Sequence, residues 1–211
     1  MFGRKVPLSR SELVQRGDRA RAKGRRRKAI SEYRKALALE PGDASIHAKI
    51  APLLAARGDK AEALKSFQAA AEGQIKAGFV DRAIALYVQA VSLFPKEDEL
   101  WSEVARLHLE RARRADAVRI YIEAHRHFRG KKERNTAIAF LRRAVELDPL
   151  HVLGTVSLAK LLKKCGRKAE GKTLLAQLAG QLRGPALRKV RRAQFGLSPT
   201  PAALWRWMRA G

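Results

Sequence analysis

The run Gly166-Arg-Lys-Ala-Glu-Gly171-Lys172-Thr173 has the spacing of a phosphate-binding loop, G-x-x-x-x-G-K-[ST]. In that chemistry glycine N–H groups wrap phosphate oxygens, after a strand and before a helix. Here no apolar strand precedes the run, and residues 152–164 align with helical stretches at 44–56 and 98–110. Gly166 falls where Gly58 turns the chain between helices, and Gly171 where Ala63 and Ala117 pack. The expectation is an inter-helix turn, not a nucleotide site. His125 and His127 flank Arg126, with His108 earlier. Histidines two apart on a helix point to different faces, so no shared metal ion is expected. Cys165, the single cysteine, stands beside Lys163, Lys164 and Arg167. Nearby cations lower a thiol pKa, but no base accompanies it, and it reads as an inert thiol. One cysteine excludes an internal disulfide framework. Glu97-Asp98-Glu99 reads as a helix N-terminus favoured by the dipole rather than an acid–base pair. No catalytic residue, metal site or cofactor is predicted, and the chain reads as a non-enzyme.

Charge is the stronger signal. Among 211 residues, 45 Lys and Arg face 20 Asp and Glu, a formal net charge of +25. Such a chain attracts nucleic acid, anionic membrane surfaces or acidic proteins. Three clusters stand out: Arg21–Lys28 with six basic residues in eight, Arg129–Arg134 with four, and Arg188–Arg192 with four in five. Arg25, Arg26, Arg27, Lys28, Arg188, Lys189, Arg191 and Arg192 form the candidate polyanion patch. Aromatics are few, at 6%, and Tyr33, Phe67, Tyr87 and Tyr121 read as core. Contact with nucleic acid would therefore fall on phosphates and depend steeply on salt. No stretch approaches 18 apolar residues, so no transmembrane helix is expected. Met-Phe-Gly-Arg-Lys-Val-Pro at the start lacks the apolar run of a secretory signal, which predicts a cytoplasmic protein.

The elements that must carry these residues repeat. Residues 29–39, Ala-Ile-Ser-Glu-Tyr-Arg-Lys-Ala-Leu-Ala-Leu, return at 83–93 and again at 137–147, with Pro41, Pro95 and Pro149 after them. Ala29, Ala83 and Ala137 coincide, as do Ala36, Ala90 and Ala144. A second element lies 34 residues after each: Ala63, Phe67 and Ala70, then Ala117, Tyr121 and Ala124, then a weaker Gly171, Leu175 and Leu178. Small residues let antiparallel helices approach, large apolar ones fill the space between pairs, and proline stops a helix. Gly17, Gly24, Ala29, Tyr33, Ala36 and Pro41, with Trp101, Ala117, Tyr121 and Ala124 further on, resemble the tetratricopeptide family over roughly residues 9–180. That resemblance implies an all-α, right-handed helical-repeat solenoid of about eleven or twelve antiparallel helices. Unlike the family's uniform period, the steps here run 34, 20, 34, 20 and 34, which predicts three-helix units every 54 residues. Lys60–Ala77 and Arg114–Arg129 should then be longer helices, and Pro52 should kink or shorten the helix near Ser45–Ala56.

The resemblance also implies a non-catalytic interaction scaffold whose first helices line a groove. Mapped onto this chain, Arg21, Lys49, Arg106, Lys160, Lys163 and Lys164 face inward and suit an acidic peptide or acidic protein surface. The family's carboxylate clamp is not recognisable, because Val14 and Asp18 occupy its Lys and Asn positions. Three regions are expected: a basic tail at 1–8, the solenoid at 9–180, and basic C-terminal helices at 181–211 ending in a Trp-rich segment. Leu204-Trp205-Arg206-Trp207-Met208 has three readings. It caps the solenoid's last apolar face, anchors on an anionic membrane through Trp205 and Trp207, or docks onto a partner protein.

Overall fold

The computed structural model describes residues 8–209, so seven residues of the expected basic tail lie outside the described residues. The described residues form twelve α-helices and no strand. In chain order they are α1 Arg10–Ala22, α2 Arg26–Leu39, α3 Ala44–Arg57, α4 Lys60–Lys76, α5 Val80–Leu93 and α6 Asp98–Glu110. There follow α7 Arg114–Ala124, α8 Arg134–Leu147, α9 Val152–Lys164, α10 Lys168–Gln181, α11 Gly184–Leu197 and α12 Pro201–Met208. Packing divides the chain within the expected solenoid into two compact units, one ending at Phe94 and the other beginning at Pro95.

The 54-residue period holds to the residue. α2, α5 and α8 begin at 26, 80 and 134; α3, α6 and α9 at 44, 98 and 152; α4, α7 and α10 at 60, 114 and 168. Its cause is the small residues at helix crossings: Ala29, Ala36, Ala63, Ala70, Ala83, Ala90, Ala117, Ala124, Ala137 and Ala144 are all buried. In the first unit Tyr33, Ile46, Ile50 and Leu54 fill the space between pairs. In the second unit Ile122, Leu141, Leu158 and Leu162 do so, and a further core joins Ala159, Leu175, Leu178, Val190 and Leu197. Each such aliphatic side chain contributes about 1.5–3 kcal/mol on burial. Tyr121 departs from the expected core and is only half-buried.

Two expectations about helix length come out differently. Pro52 does not shorten α3, which runs 14 residues to Arg57. Buried Ile50, Ala51 and Leu54 on either side of it hold that helix to its neighbours, and their burial outweighs the roughly 3 kcal/mol of an interior proline. α4 is the expected long helix, at 17 residues, but its counterpart α7 stops at Ala124 and tightens into a 3-10 turn at His125–His127. The His125 Nδ1 sits on the Ile122 carbonyl, the acceptor that another α-helical turn would use. The chain then turns inward to bury Phe128 against the Phe140 ring, with centroids 5.5 Å apart.

Candidate functional site

The six cations expected to face inward fall into two kinds of surroundings. On α1, Asp18 gathers the first set: its Oδ2 accepts from Lys49 Nζ at 2.7 Å, its Oδ1 accepts from the Tyr33 hydroxyl at 2.6 Å, and Arg21 lies 4.0 Å away. Gly17 makes this node possible, since a Cβ there would stand 2.5 Å from the Tyr33 ring. Burial raises the Asp18 pKa, but the Lys49 and Tyr33 hydrogen bonds outweigh it and hold the carboxyl below its usual range. The Tyr33 hydroxyl is pushed up by burial and by the adjacent carboxylate. Arg106 on α6 is likewise answered by its own helix, through Glu103 at 2.7 Å and a contact to Glu110.

Lys160, Lys163 and Lys164 stand differently. They line a groove of about 1430 Å³ between α9 and α11, together with Arg183, Lys189 and Arg192. No carboxylate lines it. Its floor is apolar: Val152, Leu153, Val156, Ala186, Ala193 and Leu197. Lys163 Nζ donates to the Gly196 carbonyl at 2.8 Å, which ties the rim of α9 to the end of α11. α11 opens after Arg183 with Pro185 in its first turn and no acidic residue there, so its N-terminal dipole adds to the positive field. Gly171 on α10 sets the depth of packing beneath: a Cβ there would lie 2.9 Å from the Ala159 carbonyl and 3.1 Å from Leu197. A smaller groove of about 370 Å³ shares Lys160 and Lys164 and adds Arg126, Arg129 and Arg134, again without a carboxylate.

The structure thus brings three of the expected groove residues, Lys160, Lys163 and Lys164, together with two from the expected patch, Lys189 and Arg192. Arg188 and Arg191 belong to α11 but do not line the groove; Arg191 donates to the Gln194 side chain at 2.9 Å. Arg25, Arg26, Arg27 and Lys28 lie in the first unit, exposed at the start of α2 with no acidic partner in that turn. Arg183 was missed in the sequence; its signal was its place beside Gly184-Pro185, a helix start. The phosphate-loop run spans the α9–α10 turn, with Gly166 at φ 79° and Gly171 packed inside α10. Cys165 caps the C-terminus of α9, half-buried. The histidines are dispersed: His127 stacks on Trp101 at 5.1 Å, His125 lies against Ile122, and His108 is 3.7 Å from Asp116. No helix among the described residues is long and apolar enough to cross a membrane.

A family model described as "Bacterial transcriptional activator domain" matches residues 9–131. Comparison with curated proteins gives no match. Among solved structures, the chain is similar to a thermophilic TPR protein of Thermus thermophilus, at 15% identity over 96% of this chain and 90% of that one, with a TM-score of 0.34. It is similar to MamA of Desulfovibrio magneticus RS-1, at 14% identity over 83% of this chain and 96% of that one, TM-score 0.31. It is similar to kinesin light chain TPR-like repeats of Podosopora anserina, at 15% identity over 94% and 92%, TM-score 0.40.

Proposed function

The chain belongs to the bacterial transcriptional activator domain family, and from that premise we propose that it is a cytoplasmic, non-catalytic interaction module of a bacterial transcription regulator. In this reading an acidic segment of a protein partner lies in the groove between α9 and α11. The observation that carries it is that groove's lining, an apolar floor rimmed by six cations without one carboxylate. Its volume of about 1430 Å³ exceeds the range of roughly 300–1,000 Å³ typical of small-molecule sites. An acidic peptide with apolar side chains between its carboxylates complements both floor and rim. The groove lies beyond the residues matched by the family model, so it would be a specialisation of this chain.

The test is titration with a fluorescent peptide of alternating Glu and Leu against a Lys–Leu control. The Lys160→Glu, Lys163→Glu, Lys164→Glu variant should lose at least about tenfold in affinity through charge repulsion alone, with its helical content unchanged. Equal binding by the variant would overturn the reading.

A second reading, a nucleic-acid or other polyanion surface, draws on a separate observation. Arg25, Arg26, Arg27 and Lys28 crowd the start of α2, where a helix dipole disfavours cations. Duplex DNA titrated at about 50 and 200 mM salt would support this reading if affinity fell by orders of magnitude between the two and depended on Arg25–Lys28 rather than on Lys160–Lys164.

A further inference from the structure

α12 packs on α11 yet leaves its largest apolar side chains outside. Ala203 is buried, and Trp207 turns inward to stack on Phe195 with ring centroids 6.0 Å apart. Leu204, Trp205 and Met208 are 38%, 55% and 65% exposed. These three share one helical face. A helix that merely closed the end of the array would bury them, so the capping reading accounts for Ala203 and Trp207 only.

We propose that the Leu204–Trp205–Met208 face docks on an anionic lipid surface. The argument is complementarity of two kinds on one small element. The exposed indole, thioether and isobutyl groups are the side chains that enter the boundary between head groups and acyl chains. Around them the charge is of one sign. No Asp or Glu follows Glu170 in the sequence, while eight Lys and Arg do. The Arg209 guanidinium lies 4.6 Å over the Trp205 ring and that of Arg192 6.0 Å over Trp207. The Arg206 Nε is held on the Ala202 carbonyl at 3.2 Å. Guanidinium groups bound to indole faces sit at the depth of lipid phosphates when the rings reach the head-group region. A second copy of this chain is disfavoured as occupant by the same charge, since two like-charged faces would have to meet.

The assay is co-sedimentation of the full chain with vesicles of phosphatidylcholine alone or with phosphatidylglycerol added, combined with tryptophan emission. Trp101 is buried and Trp207 half-buried, so a blue shift on binding reports mainly Trp205. Expected is binding to the anionic vesicles only, with a blue shift that Trp205→Phe removes. The Leu204→Ser, Trp205→Ser, Met208→Ser variant, whose changes lie on solvent-exposed positions, should lose binding about tenfold or more. Binding without a blue shift, or binding unaffected by the three serines, means attraction by charge alone and overturns the proposal. So does absence of binding, or a sedimentation profile in which the wild type is a dimer and the triple variant a monomer. The Lys160→Glu, Lys163→Glu, Lys164→Glu variant should keep the blue shift, which separates this face from the groove.

Discussion

The node around Asp18 and the groove between α9 and α11 are built from the same helical material and use charge in opposite ways. At the node, Lys49, Arg21 and the Tyr33 hydroxyl converge on one carboxylate. In the groove, six cations line an apolar floor and no carboxylate answers them. The difference runs through the sequence: residues 152–209 carry thirteen Lys and Arg against Glu170 alone, and Glu170 is taken by Arg142 and Arg167. Charge that is answered internally stabilises a fold. Like charges held together without a carboxylate among them repel and cost stability.

The largest test of this contrast strikes the node through packing. Gly17→Ala places a methyl 2.5 Å from the Tyr33 ring and must drive that ring, and its hydroxyl, off Asp18. A gain of about 1 kcal/mol in helix propensity is outweighed by overpacking of about 1–3 kcal/mol and by a broken hydrogen bond to a charged group of about 1.5–3 kcal/mol. Urea denaturation should show a net loss of about 1.5–5 kcal/mol. Wild-type stability in Gly17→Ala would mean that the node carries no energy.

A sharper pair of variants reverses one charge on each side. Lys49→Glu sets a carboxylate against Asp18 and should destabilise by about 1 kcal/mol, a figure kept low because both side chains are partly solvated. Lys164→Glu removes one cation from a surface where Lys160, Arg126, Arg129 and Arg134 are neighbours. It should leave stability unchanged or raise it by about 0.5 kcal/mol while weakening peptide binding. Losses of the same size and sign in both variants, read by thermal unfolding, would erase the distinction between node and groove.

What the sequence discloses follows the range of the interactions. Helix starts and the 54-residue period were legible because Ala29, Ala83, Ala137 and the prolines after each copy are local marks. The division after Phe94 was not, since Pro95 looks like Pro41 and Pro149 in sequence. Lys49 read as an open groove cation because its partner, Asp18, lies 31 residues away on another helix. The groove needed α11 set beside α9, and α11 lies outside the repeat. On α12, the roles of Trp205 and Trp207 depend on helical phase relative to Phe195, which only packing fixes. α7 misled for a related reason: the pull of Phe128 into the core cut short a helix that the repeat alone would have extended.

The smallest expected effect lies in pH. Asp18 has a carboxyl pKa below its ordinary value of 3.8, so its contribution is complete above that value and is lost as pH falls through it. His125, half-buried, has its pKa lowered from 6.5 chiefly by burial, with Arg126 and Arg129 adding to the effect while the Ile122 carbonyl and Glu123 oppose it. A base with a depressed folded pKa binds protons more readily when unfolded, so its unit is at full stability above pH 6.5 and weakens as pH falls below it. Between about pH 6.5 and 4 the second unit should therefore soften while the node around Asp18 holds. Hydrogen exchange of α7 and α8 amides against those of α1 and α3 across that interval reads the two separately. Exchange that rises first in α1 and α3 would place the acid-labile contacts at the node instead, and His125→Gln, which cannot titrate, should flatten the response of α7 alone.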